Sequence, residues 1–185
     1  ISIALLAGGE PLVRRDLLDI TREFPDIIFP LFTNGLLIDD AVARRLAAQK
    51  NVIPVVSLEG HEDDTDGRRG AGVHDRLQQT IGNLKGRSLF LGVSLTVTRR
   101  NYQTVTDESF IRALLDAGAR IVFFVEYVPV KEGTEDWVLS DEQRDGLARA
   151  SVDLRARLPG LFIAFPGDEE ATGGCLAAGR GFVHV

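Results

Sequence analysis

The chain has 185 residues, 44% of them hydrophobic and 26% charged, which suits one domain with its own apolar core. A net charge of −6 speaks against nucleic acid or an anionic membrane surface as partner. No apolar run approaches the roughly 18–20 residues of a membrane span. The one cysteine, Cys175, excludes an internal disulfide and fits a reducing, cytoplasmic compartment. The chain contains no methionine and begins inside an apolar run at Ile1, so it reads as a piece of a longer protein, with no visible signal peptide.

Strand-length apolar runs alternate with helical periods. Ser2–Leu6 reads as a strand, followed by a Gly8-Gly9-Glu10-Pro11 turn and a helix through Phe24. Asp26–Phe32 is a strand ending in Thr33-Asn34-Gly35, and Ile38–Gln49 a helix. Asn51–Leu58 is a strand, 61–72 a long polar loop and Val73–Leu84 a helix. Ser88–Thr98 is a strand, Asp107–Ala117 a helix and Arg120–Val128 a strand. Ser140–Leu158 is a helix with Ser140 and Gln143 in capping-box positions. Leu161–Phe165 is a strand, and Phe182–Val185 begins another. Val52–Val56 and Ile121–Val125 lack polar alternation, as strands buried on both faces do, although Pro54 weakens the first. The alternation points to α/β architecture with parallel strands, either a doubly wound sheet or a partial (β/α) barrel. Residues 1–166 form the core, and 167–185 start a Gly-rich C-terminal segment.

In such folds chemistry gathers at the C-terminal ends of the strands. Standing there are Gly8, Gly9 and Glu10; Thr33 and Asn34; Ser57 and Glu59; Ser94, Thr96 and Thr98 with Arg99 and Arg100; and Glu126 with Tyr127. Taken singly, each has a bland reading: glycines and Thr33-Asn34-Gly35 are turn signals, and the acidic residues after Glu59 suit a solvated loop. Trp137 reads as packing. His61, His74 and His184 have no ligand spacing. Glu10, Glu59 and Glu126 on one rim suit a divalent-metal-dependent barrel lyase or hydrolase, and a non-catalytic small-molecule-binding domain is a further reading.

The order of these pieces narrows the choice. Ala7-Gly8-Gly9-Glu10-Pro11, Phe32-Thr33-Asn34-Gly35 and Val56-Ser57-Leu58-Glu59-Gly60 close successive strands. Asp66-Gly67-Arg68-Arg69-Gly70 and the strand Val93–Thr98 follow. From about Ser2 to Val128 this series resembles the radical S-adenosylmethionine (SAM) superfamily. The resemblance implies a partial (β/α)6 barrel of parallel strands, truncated at its N-terminal βα unit. It also implies an enzyme in which a [4Fe–4S] cluster reduces SAM to a 5′-deoxyadenosyl radical that takes hydrogen from a substrate. It places Gly8, Gly9 and Glu10 at the SAM amino group, Ser57 and Glu59 at the ribose or methionyl end, and Arg69 at the SAM carboxylate. Thr33 and Asn34 support the pocket. Asp is common in the family where Glu59 stands.

The family's Cys-x3-Cys-x2-Cys segment precedes the Gly-Gly-Glu strand, so the chain by itself is expected to be inactive, with cluster ligands lying elsewhere. Gly173-Gly174-Cys175 resembles the entry to a SPASM- or twitch-type module, with Cys175 a candidate ligand of an auxiliary iron–sulfur cluster. That subgroup implies a peptide substrate. The family implies a reductant such as flavodoxin or ferredoxin.

Overall fold

Runs rich in β-branched and aromatic residues supply strands that can be buried on both faces, and in the computed structural model they pair in chain order. The structure describes residues 2–168 except 88 and 131. The strands are β1 (Phe29–Thr33), β2 (Val52–Leu58), β3 (Leu91–Val97), β4 (Ala119–Glu126) and β5 (Leu161–Phe165). They form one sheet of order β1-β2-β3-β4-β5, every neighbouring pair parallel. Pro54 is tolerated in β2 because the β2–β3 register starts only at Val55↔Gly92. Phe29 N donates to Asn51 O, and the alternation from that bond turns the Pro54 nitrogen toward the side where the ladder has not begun.

Ser2–Leu6, expected as a strand, lies parallel to β1 and, among the described residues, pairs through the isolated bridges Ile3↔Ile28 and Leu6↔Leu31. Ala4 N and Leu6 N donate to Ile28 O and Pro30 O at 2.9 and 2.8 Å. It lies at the sheet edge, with Ile3 and Leu5 exposed among the described residues.

Helices α1 (Leu17–Arg22), α2 (Asp40–Ala48), α3 (Glu62–Arg69), α4 (Val73–Lys85), α5 (Tyr102–Thr106), α6 (Glu108–Asp116) and α7 (Asp141–Arg157) connect the strands. Asp39, Asp107 and Ser140 cap α2, α6 and α7 through side-chain oxygens, the last in the capping box its sequence announces. The polar stretch 61–72, expected as a loop, contains α3. Its apolar period is faint because only Thr65 is buried, but Glu62, Asp63 and Asp64 occupy the first turn and Arg68 and Arg69 the last, as the helix dipole favours.

All the buried helical apolar residues pack into a single core with the alternate strand residues Val56, Leu58, Val93, Leu95, Val97, Val122, Phe124 and Phe162. The other sheet face holds a separate small cluster, Val55, Ile121 and Phe123, flanked by Phe32, Val125 and Phe165, with no helical member among the described residues. Helices on one face and an unreversed strand order are the marks of a partial (β/α) barrel; a doubly wound sheet carries helices on both faces. Every crossover returns the chain to the same side, so all strands end at one rim. Cys175, most of the Gly-rich segment and the expected strand at Phe182–Val185 lie outside the described residues. Among those described, no helix is long and apolar enough to cross a membrane.

Candidate cofactor-binding site

The first half of the site grows from the turn after Ser2–Leu6. Pro11 at the first helical position starts a 3-10 turn, Pro11–Val13, and Glu10 precedes it as N-cap, its Oε1 accepting from Leu12 N at 3.1 Å. The same oxygen accepts from Thr33 Oγ1 at 2.8 Å, while Oε2 accepts from Asn34 N at 2.7 Å. Thr33 and Asn34 are thus what holds Glu10. The turn that delivers them is fixed locally: Thr33 Oγ1 accepts from Gly35 N, and Asn34 Oδ1 from Leu36 N. Gly35 has φ +76°, and a Cβ there would stand 2.8 Å from Leu77 Cδ2 and 3.1 Å from Val56 Cγ1. The hydrogen-bond partners of Glu10 are neutral donors, and Oε2, which accepts from Asn34 N, retains accepting capacity. Gly8 and Gly9 are exposed, and nothing lies within 4 Å of where their Cβ atoms would be. A cleft of about 480 Å³ opens beside them, lined by Leu5, Gly9, Glu10, Val13, Arg14 and Leu17.

The second half grows from β2 and α3. Glu59 follows the last β2 residue, and its side chain is 1% exposed. Oε1 accepts from Arg69 Nε at 2.7 Å, with Arg69 Nη2 also at 2.7 Å. Oε2 is ion-paired to Arg68 Nε at 3.1 Å, outside hydrogen-bond geometry. Burial pushes the Glu59 carboxyl above the ordinary carboxylate range, against the opposing pull of Arg69 and then Arg68. Arg68 Nη2 reaches Thr96 Oγ1 on β3 at 3.2 Å, and its guanidinium lies 5.9 Å from the Tyr127 ring centre. The end of α3 is held in turn by Asp66, whose carboxylate accepts from His74 N and Gly72 N at 2.8 and 2.6 Å; those bonds hold its pKa below the usual range. Ser57 lies opposite Ser94 in the β2–β3 register, half-buried.

The three carboxylates do not form one cluster. Glu126 ion-pairs with Arg144 of α7 at 2.9 Å, Glu59 with the two arginines of α3, and Glu10 with Thr33 and Asn34. Among the described residues no group of three or more His, Cys, Asp or Glu is placed to hold a metal ion, which removes the support for the metal-dependent lyase or hydrolase reading. Strand alternation explains the separation: Glu126 pairs with Val97 in the register and, like Val97, belongs to the helix-covered face.

Sequence reasoning missed two features. Asn101, in the loop after β3, bonds to the backbone of Glu59, Thr96 and Thr98. The local signal is a Thr-x-x-Asn turn, but its partner 42 residues away is invisible in sequence. Trp137, read as packing, meets Arg100 (4.7 Å from guanidinium to ring centre) and Tyr127 (5.6 Å between rings). It lines a cavity of about 130 Å³ with Glu59, Arg68, Thr98, Arg100 and Asn101.

No protein-family model matches the chain. It is 33% identical over 137 residues to the AdoMet-dependent heme synthase of Methanosarcina barkeri, covering 72% of this chain and 39% of that protein. It is 32% identical over 139 residues to the mycofactocin maturase MftC of Mycobacterium tuberculosis, covering 71% and 34%. The chain therefore spans between a third and two fifths of the length of these relatives. Streptococcus suis SuiB bound to S-adenosylmethionine superposes with a TM-score of 0.71 at 16% identity, over 95% of this chain and 45% of that one. The native anSMEcpe structure with bound AdoMet and Cp18Cys peptide gives 0.67 at 16%, over 86% and 50%. These likenesses establish the fold.

Proposed function

The chain is a homologue of radical SAM enzymes and carries the core of their fold, and from that premise we propose that its full-length protein binds SAM at this rim and uses it in radical chemistry on a peptide. The observation that supports SAM as the ligand is the division of charge along the rim. Glu10 is a carboxylate whose partners are all neutral, whereas Glu59 is one carboxylate against two guanidiniums. A ligand end carrying both an ammonium and a carboxylate, as the methionyl group of SAM does, complements such a pair of sites.

In this reading Glu10 Oε2 and the backbone at Gly8 and Gly9 accept hydrogen bonds from the ammonium, strengthened by its charge. Thr33 and Asn34 orient Glu10 and do not touch the ligand. Arg69 receives the carboxylate. Glu59, at 1% exposure, acts through Arg69 by fixing and partly neutralising it, so of the two residues assigned to the ribose and methionyl end, Ser57 makes the contact. When bound and reduced by a [4Fe–4S] cluster, SAM supplies a 5′-deoxyadenosyl radical that abstracts hydrogen. None of the site residues described above ligates iron, and Cys175, proposed as an auxiliary-cluster ligand, lies outside the described residues. The residues of the rim bind and orient, and the small inner apolar cluster of Val55, Ile121 and Phe123 offers a dry floor that keeps water from a reactive intermediate.

A peptide as substrate is supported by two neighbouring structures: anSMEcpe with bound Cp18Cys peptide, and SuiB bound to the precursor peptide SuiA, the latter with a TM-score of 0.69 and 18% identity over 91% of this chain and 40% of that one. A cytoplasmic site and electron supply from a flavodoxin or ferredoxin complete the reading. The test uses full-length protein reconstituted anaerobically with iron and sulfide, given SAM and dithionite, and assayed for 5′-deoxyadenosine. Cluster-dependent product that falls at least tenfold in Glu10→Ala supports the proposal. Absence of both SAM binding and product overturns it.

A further inference from the structure

We infer that Asn101 is a positioning residue, which by tying the end of β2 to the end of β3 sets the Glu59–Arg69 half of the site and thereby its affinity for SAM. The inference rests on the proposed role of that half in binding SAM. Asn101 is 3% exposed, and its amide is fully used. Nδ2 donates to Glu59 O at 2.5 Å and Thr96 O at 2.9 Å, while Oδ1 accepts from Thr98 N at 2.7 Å and Thr98 Oγ1 at 3.0 Å. The two carbonyls only accept and the Thr98 amide only donates, so a single orientation of the side chain satisfies all of them. Thr98 Oγ1 also accepts from Asn101 N at 3.3 Å, closing the turn.

The location gives this bond set its consequence. The ladder between β2 and β3 has its last register pair at Leu58↔Leu95, and Asn101 carries the connection one residue further, to Glu59 itself. Beyond Glu59 the chain turns at Gly60, φ +155°, into α3, which brings Arg68 and Arg69 back over the Glu59 carboxylate. Freeing the Glu59 carbonyl therefore loosens the residue on which both guanidiniums are registered, while the apolar core beneath stays intact. Asp at this position keeps the shape but faces two carbonyl oxygens with a carboxylate. Leu removes the side-chain bonds to Glu59 O, Thr96 O, Thr98 N and Thr98 Oγ1, leaving the hydroxyl only the bond from the residue-101 amide.

Asn101→Asp, Asn101→Leu and the gentler Thr98→Val, which keeps the Thr98 amide bond and loses both hydroxyl bonds, are compared in the full-length protein. Readouts are SAM affinity by calorimetry at low temperature, amide hydrogen exchange over residues 57–70 without ligand, and thermal melting. We expect SAM affinity about tenfold weaker in Asn101→Asp and about threefold weaker in Thr98→Val, with faster exchange after Glu59 in the ligand-free protein. A lowered melting point with unchanged affinity and unchanged exchange at 57–70 overturns the inference, leaving Asn101 merely structural. Should the wild type itself not bind SAM, the proposed function fails, while the exchange data still decide whether Asn101 sets this loop. If neither Asn101 variant folds, Thr98→Val carries the decision.

Discussion

Glu10 and Glu59 end segments of the same parallel sheet edge, yet their surroundings are opposite. Glu10 is half-buried and held by a hydroxyl and two backbone amides, none of them charged. Glu59 is almost inaccessible and sits under two guanidiniums. The difference follows from what comes next in the chain. After Glu10 a proline-started turn gives the carboxylate the Leu12 amide and leaves it open to Thr33 and Asn34 at the end of β1, whereas after Glu59 an acidic-to-basic helix folds its last turn back over the strand end. A carboxylate surrounded by neutral donors keeps its charge available to a cation, and one already overbalanced by arginines is a support for cations that seek an anion.

The harshest way to break this comparison is Glu59→Ala. It strips the partner from two partly buried guanidiniums and should cost about 2–4 kcal/mol in unfolding free energy, short of a fully buried pair because Arg68 remains 30% exposed. A denaturation midpoint unchanged from wild type would show that the arginines hold themselves in place.

Gly35→Ala probes the opposite carboxylate through its turn. The added Cβ meets Leu77 and Val56 at a left-handed φ, so we expect a loss of about 1–3 kcal/mol together with weaker SAM binding, because Asn34 N no longer meets Glu10 squarely. Weaker folding with intact SAM affinity would dissociate the turn from the ligand site.

The mildest probe, Glu59→Gln, sharpens the comparison through pH. Burial raises the folded-state pKa of Glu59 above its unfolded value, so the folded protein holds the proton more tightly. The wild type should therefore gain stability relative to the variant as pH falls from above the raised value toward the ordinary carboxylate range, and lose that gain as pH rises again. Parallel stability curves for the two proteins across this interval would show that Glu59 titrates normally and that the guanidiniums cancel its burial.

Much of this was legible in the sequence, and what was not has identifiable causes. The apolar runs at Val52–Val56 and Ile121–Val125 announce strands buried on both faces, and the Ser140–Gln143 box announces the start of α7, because burial and capping are written in residue type and spacing. The order of the Gly-Gly-Glu, Thr-Asn-Gly and Ser-Leu-Glu-Gly turns likewise puts Glu10, Thr33, Asn34, Ser57 and Glu59 at strand ends. Helix α3 escaped because hydrophobic period is faint in a helix that buries only Thr65, and its stability draws instead on charge placement along the dipole. Strand–helix alternation leaves the barrel-like and doubly wound sheets open, since both share it; the family resemblance implied the barrel, and the return of the helices to one face shows it. Tertiary packing alone separated Glu126 from the other two carboxylates, gave Glu59 its arginines and brought Asn101 across 42 residues to its carbonyl. Residue type determines what a group can bond, and only the folded chain determines which partner reaches it first.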